Sequence, residues 1–222
     1  MNVNAVRRAT GVAGLVAAIL TLIEVPLYFV YSGPPPDSNV LTRSVFGLLG
    51  MTLLLVFMAG FRHLVKDTAY AWVGSLAATA GVAWVTMLFV STGLEVGAVI
   101  AADKPIDPTI TVSGTYILYG TISRLLEGLF LASFGYTVLR TGLLPRWTGL
   151  SAYVLAVINF AFVPSLFFGN NPANFYAANG WGTTASMGAV TMLWLLAVNV
   201  ATLVTRSRQS QAVAHEHAPA PA

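Results

Sequence analysis

The chain has 222 residues and a net charge of +3; 56% of its residues are hydrophobic, only 9% are charged, and its mean hydropathy is +0.75. A soluble domain carries about 25% charged residues, and one of this size exposes too much surface to hide so much apolar side chain, so a soluble fold is excluded and a bilayer is implied. The eleven Lys and Arg are scattered between apolar runs rather than clustered, which excludes nucleic-acid binding, and the absence of cysteine removes disulfides, thiolate chemistry and Cys-based metal sites.

Six apolar segments are long enough to cross about 30 Å of hydrocarbon at 1.5 Å per residue. They lie near 10–31, 42–62, 70–95, 113–139, 147–168 and 183–204. Lipid offers no partner to backbone N–H and C=O groups, so each must be a helix or part of a closed barrel. The runs are continuous rather than alternating, which excludes a barrel. The predicted fold is therefore all-α, a single transmembrane bundle of six helices over residues 1–208, followed by a tail (209–222) without structure.

In the first segment, Arg7 and Arg8 precede the apolar run, but no small-residue cleavage site follows, so it reads as an uncleaved anchor rather than a signal peptide. It carries Glu24 and, two residues later, Pro26, which removes a helical hydrogen bond and predicts a kink. Ser32–Asn39 contains Pro34, Pro35 and Pro36 and is predicted to be an extended loop. In the second segment, Gly47-x-x-Gly50 reads as a small-residue packing feature and His63 as an interfacial side chain. Glu95 ends the third segment, where it is expected to snorkel to the interface. Ala102–Pro108 is a short loop holding Asp103, Lys104 and Asp107.

The fourth segment runs through Tyr116, Tyr119, Gly120 and Ser123 to Arg124 and Glu127. Gly120 is expected to admit a close helix neighbour. The fifth contributes Asn159 and a second kink residue, Pro164. Gly169–Gly182 is uncharged and rich in Asn beside Phe175, Tyr176 and Trp181, a composition suited to the membrane interface or to an external lid. The tail is rich in Ala, Pro and His, and its His215 and His217 are too few for a metal site. Arg8-x-Thr10-Gly11 and Val25-Pro26 recur at an offset of 138 as Arg146-x-Thr148-Gly149 and Val163-Pro164. That echo reads equally as a duplicated helical pair or as convergent helix chemistry.

Orientation follows from the basic residues. If the chain alternates, Arg7, Arg8, Arg62, Lys66, Arg140, Arg146, Arg206 and Arg208 fall on one side, and only Arg43 and Lys104 on the other. The positive-inside rule then places both termini in the cytoplasm, with the chain a multi-pass protein of the inner (plasma) membrane.

Arg124 is the basic residue that no loop accounts for. Charge at mid-bilayer costs a few kcal/mol on insertion scales and faces the bundle interior with a partner. Arg124 and Glu127 are three apart on one helix and share a face. Counting helical rise puts them about 15 and 20 Å below one edge, with Glu24 about 10 Å below it from another helix. The expectation is an interhelical triad, Glu24–Arg124–Glu127, approached by Tyr116 and Tyr119 and joined by Asn159. Such a set reads either as a device that fixes helix packing or as part of a solute or proton pathway.

No HExxH, phosphate-binding loop, dinucleotide fingerprint or nucleophile elbow occurs. The residues therefore call for no metal, cofactor or catalytic set. The expected partner is the lipid bilayer; a homo-oligomer is left open and no substrate is specified.

Thr141-Gly-Leu-Leu-Pro-Arg-Trp-Thr-Gly149, leading into the fifth segment, resembles the "LPRW-x-G" turn before the penultimate helix of a large family of uncharacterised bacterial, chiefly actinobacterial, membrane proteins. The early Arg8-x-Thr10-Gly11 is similar to that family too. The resemblance implies a six-helix fold over most of the chain and carries no activity or site residues. The leading reading is thus a polytopic membrane protein of unknown biochemical role. Its alternatives are a small proton-coupled or solute permease, a membrane-embedded enzyme, and a structural subunit. A permease needs a water route to the charged cluster, an enzyme a converging acid, base and nucleophile, and a structural subunit an occluded cluster.

Overall fold

A computed structural model describes residues 3–216, with side chains described from Val3 to Thr205. Among the described residues there is no strand, and six helices have the length and apolarity to cross a membrane. They are α1 (Val3–Leu27), α2 (Asp37–Val65), α3 (Ala71–Ala101), α4 (Thr115–Thr141), α5 (Arg146–Phe168) and α6 (Gly182–Thr205). The chain is an integral membrane protein with an all-α bundle.

The helices begin and end where the sequence supplies a reason. Pro36 and Pro145, both extended, precede the first residues of α2 and α5, positions where a missing N–H costs nothing. Gly142, with φ of 64°, closes α4 in the left-handed region and donates its N–H to the Val138 carbonyl, a cap that suits glycine. The helix of α6 continues beyond Thr205 as far as Glu216. The expectation of a structureless tail from Gln209 therefore does not describe this stretch: a formed helix extends without a new nucleation cost, and no proline intervenes before Pro219. His217 lies outside the described residues.

Helices adjacent in sequence pack side by side from α1 to α5, and α6 returns against α1. α1 and α2 pack along their length, whereas α5 and α6 touch little. The two pairs linked by the sequence echo are therefore packed differently. Short connections join α2 to α3 and α4 to α5 at the end where α1 begins and α6 finishes; the three long connections gather at the opposite, loop-rich end.

An aromatic layer fills the centre. Phe61 and Phe134 have ring centroids 4.8 Å apart, Phe134 meets Trp194 edge-on at 5.3 Å, and Phe130 stacks toward Trp84 at 6.3 Å. α4 supplies both central rings, so it is the helix about which the others pack. Away from this core the helices keep apolar faces outward. On α1, Val12, Val16, Ile19 and Ile23 recur at helical spacing and are exposed, as a lipid-facing stripe requires.

Candidate functional site

α4 is not a continuous α-helix. Leu118–Ile122 forms a π-helical turn, and Gly120 leaves helical geometry altogether, with φ of −87° and ψ of −109°. A Cβ at Gly120 would stand 2.6 Å from the Ala178 carbonyl oxygen, so only glycine lets the α5–α6 connection approach this closely. The first turn of α6, Gly182–Ser186, is also π-helical. Such widened turns gather at functional sites.

The α5–α6 connection, read from sequence as an interfacial or lid-like loop, folds on itself. Phe175 packs edge-on against Trp181 at 4.7 Å and against Phe162 at 5.6 Å. The Tyr176 hydroxyl donates to the Ala161 carbonyl, and Thr183 Oγ1 donates to the Ala177 carbonyl at 2.8 Å. In the α3–α4 connection, Asp107 caps a single helical turn, Pro108–Thr111, accepting from the Thr109 N–H at 3.1 Å and the Thr109 hydroxyl at 2.7 Å. The sequence reading had a plain loop here.

Beneath these connections lies a cavity of about 370 Å³, within the range of small-molecule sites. Its rim comes from all three long connections, with Phe29, Asp107, Ile110 and Trp181 among its residues. Its wall includes Glu24 of α1, Trp84 and Glu95 of α3, and Tyr119 and Arg124 of α4. Phe29, Ile110 and Trp181 are exposed, so the cavity opens at the loop-rich end.

The expected triad is divided in two. Arg124 and Glu127 pair as the spacing predicts, Nη2 to Oε2 at 2.9 Å. Asn159 of α5 joins them, its Nδ2 donating to Glu127 Oε1 at 3.4 Å and to the Leu155 carbonyl at 2.9 Å. A partner absent from the sequence reading, Thr191 of α6, donates its hydroxyl to the same carboxylate. Glu127 thus ties α4, α5 and α6 together.

Glu24 does not reach Arg124. Arg124–Glu127 is the sole ion pair within 4 Å among the described residues. The reason lies in Gly47: a Cβ there would sit 2.7 Å from both Glu24 carboxylate oxygens. The missing side chain opens a slot on α2, and Glu24 turns into it. There it accepts from the Tyr28 hydroxyl at 3.3 Å and lies in electrostatic range of Arg43 and Glu95. Gly47 is therefore a cradle for a carboxylate, beyond the packing role its motif implied.

Two further expectations change. Arg43, counted as a loop residue, is 2% exposed inside α2, and its guanidinium lies over the Tyr28 ring, 3.9 Å from the centroid. Glu95, expected to snorkel, is 6% exposed and its Oε1 has no hydrogen-bond partner within the protein. Both follow from helix length. α2 starts directly after Pro36 and α3 runs on to Ala101, so each residue sits well inside its helix. Pro36 as a cap was the signal that would have placed Arg43.

Tyr119 lines the cavity, whereas Tyr116, one turn earlier, is half-buried outside its wall. Pro26 produces no mid-helix kink: α1 ends one residue later, and the chain continues in turns closed by Tyr28 N–H to Val25 and Phe29 N–H to Pro26. Pro164 stands where α5 tightens into the 3₁₀ turn Val163–Phe168. Trp84, whose Nε1 lacks a hydrogen-bond partner within the protein, was not singled out by sequence, because a tryptophan in an apolar helix carries no distinguishing pattern. Comparison of the chain with models of protein families, with curated proteins and with solved structures finds no match.

Proposed function

We propose that this membrane protein is a small permease that admits a solute at the loop-rich end and couples its movement to protons through Glu24 and Glu95. The observation that carries the reading is the open cavity, which reaches from exposed rim residues to two carboxylates and to Arg124 inside the bundle. A structural subunit has no need of such an opening, since the Arg124–Glu127–Asn159–Thr191 node alone can fix the helices. An enzyme needs a nucleophile beside an acid and a base; the hydroxyl–carboxylate contact of Thr109 with Asp107 in the cavity lining belongs to the cap of the Pro108–Thr111 turn. The basic residues Arg7, Arg8, Arg62, Lys66, Arg140 and Arg146 lie near the termini end, which supports cytoplasmic termini, an outward-facing cavity and a place in the bacterial plasma membrane. The start of α5 at Arg146 and the six spans support membership of the uncharacterised family that the Leu144–Gly149 turn resembles.

The test is proton movement in vesicles that hold the purified chain and a pH-sensitive dye. Amines, amino acids, sugars and carboxylates are added in turn. The expected result is a proton flux that one of these classes elicits and that falls at least tenfold in the Glu24→Gln/Glu95→Gln variant. No solute-dependent flux from any class, with folded protein in the vesicles, contradicts the permease reading.

A further inference from the structure

The charges around the cavity do not balance. Glu24, Glu95 and Asp107 line it, with Glu127 just behind. Against these four carboxylates stand two guanidinium groups. Arg124 is the one basic side chain in the wall among the described residues, and its charge is engaged by Glu127. Arg43 sits on the Tyr28 ring and acts on Glu24 and Glu95 together. Asp107 lies at the half-exposed rim, but within the bundle Glu24, Glu95 and Glu127 outnumber Arg43 and Arg124. That leaves one acidic group without a basic partner in surroundings of low polarity, where an uncompensated charge is costly.

The rest of the wall is apolar and aromatic. Phe29, Trp84, Tyr119 and Trp181 border the same space, and aromatic faces attract cations by their quadrupole. Glu95 supplies the directed contact: it is 6% exposed, and its Oε1 has no partner within the protein. An anion drawn to the unpaired Nε and Nη1 of Arg124 would meet three carboxylates in the same wall. Resting on the permease reading above, we infer that the cavity takes an organic monocation with an aromatic or apolar body, its charge held between Glu24 and Glu95 and its body against Trp84 and Tyr119. Volume agrees with this, because about 370 Å³ accommodates one drug-sized molecule rather than a bare ion.

The experiment is calorimetric titration of the full chain in nanodiscs with three soluble probes of similar size: benzyltrimethylammonium, neutral N,N-dimethylbenzamide and anionic phenylacetate. The cation is expected to bind at one equivalent, and the other two at least tenfold more weakly. Glu95→Gln and, separately, Glu24→Gln are each expected to weaken the cation at least tenfold while leaving the neutral probe unchanged. The thermal unfolding temperature of each variant establishes that it is folded. Equal or tighter binding of either non-cationic probe overturns the inference, as does an unchanged cation affinity in whichever variant folds. Absence of binding by all three overturns it as well. The permease reading is judged separately: flux elicited by a different solute class leaves it standing while the cation class falls.

Discussion

Arg124 and Arg43 are buried to the same degree, each 2% exposed, yet the bundle holds them in opposite ways. Arg124 is anchored by a carboxylate that two further helices grip through Asn159 and Thr191. Arg43 has no ion pair within 4 Å among the described residues; it rests on an aromatic ring and acts at longer range on two carboxylates beside an open cavity. The first arrangement joins α4, α5 and α6 below the cavity. The second leaves Glu95 Oε1, in the cavity wall, without a hydrogen-bond partner within the protein. Burial alone therefore does not separate the two sites; a carboxylate within ion-pair distance, present at Arg124 and absent at Arg43 among the described residues, does.

The largest effect is expected at Glu127. Glu127→Leu leaves the Arg124 guanidinium buried without its counter-charge and should lower stability by about 3–5 kcal/mol, read by thermal or denaturant unfolding in detergent. The Arg124→Leu/Glu127→Leu double variant removes both charges and should recover more than half of that loss. A double variant as unstable as the single one contradicts the structural assignment of this node.

At the other region the sharpest lever is Gly47. Gly47→Leu fills the slot that Glu24 occupies, and overpacking of this kind costs about 1–3 kcal/mol. It should also displace the carboxylate and abolish solute-dependent proton flux. Gly97→Ala is the matching control, because a Cβ there meets nothing within 4 Å, and it should leave both readouts unchanged. Smaller still is Tyr28→Leu, which removes the ring beneath Arg43. The loss should be about 0.5–2 kcal/mol, the worth of a cation–π contact, together with an altered cation affinity as Arg43 is freed. Glu95→Gln should change stability least, by less than about 1 kcal/mol, since no saturated pair is broken. Its effect should appear in binding and flux instead.

The parts of this account that were legible in the sequence are those governed by local rules. Apolar length gives the six spans, and the three-residue spacing of Arg124 and Glu127 gives their pairing. Asn159 was expected to join the cluster because it falls at a similar depth on the fifth helix. The boundaries of α1 were less legible, expected at 10–31 and found at Val3–Leu27. A helix extends past its apolar core through Val3–Ala9, and it stops where Pro26 interrupts the hydrogen-bond ladder. What could not be read depends on how helices approach one another. Glu24 turns toward α2 because Gly47 happens to face it. The break at Gly120 exists because Ala178, 58 positions away in the chain, presses its carbonyl there. Neither contact leaves a periodic trace in the sequence.

The central claim is that water enters the bundle from the loop-rich end as far as the charged residues. The chain contains no native cysteine, so a single Leu88→Cys substitution in the cavity wall reports on it without background. Ala78→Cys, in the closed core, serves as the reference. A membrane-impermeant maleimide is added outside sealed vesicles of known orientation. The Leu88→Cys variant should be labelled from the loop-rich side and the Ala78→Cys variant from neither, and benzyltrimethylammonium should slow labelling of the former. A folded Leu88→Cys variant as inert as the Ala78→Cys reference would contradict the account, because a cavity closed to water cannot serve as the entry to a permease.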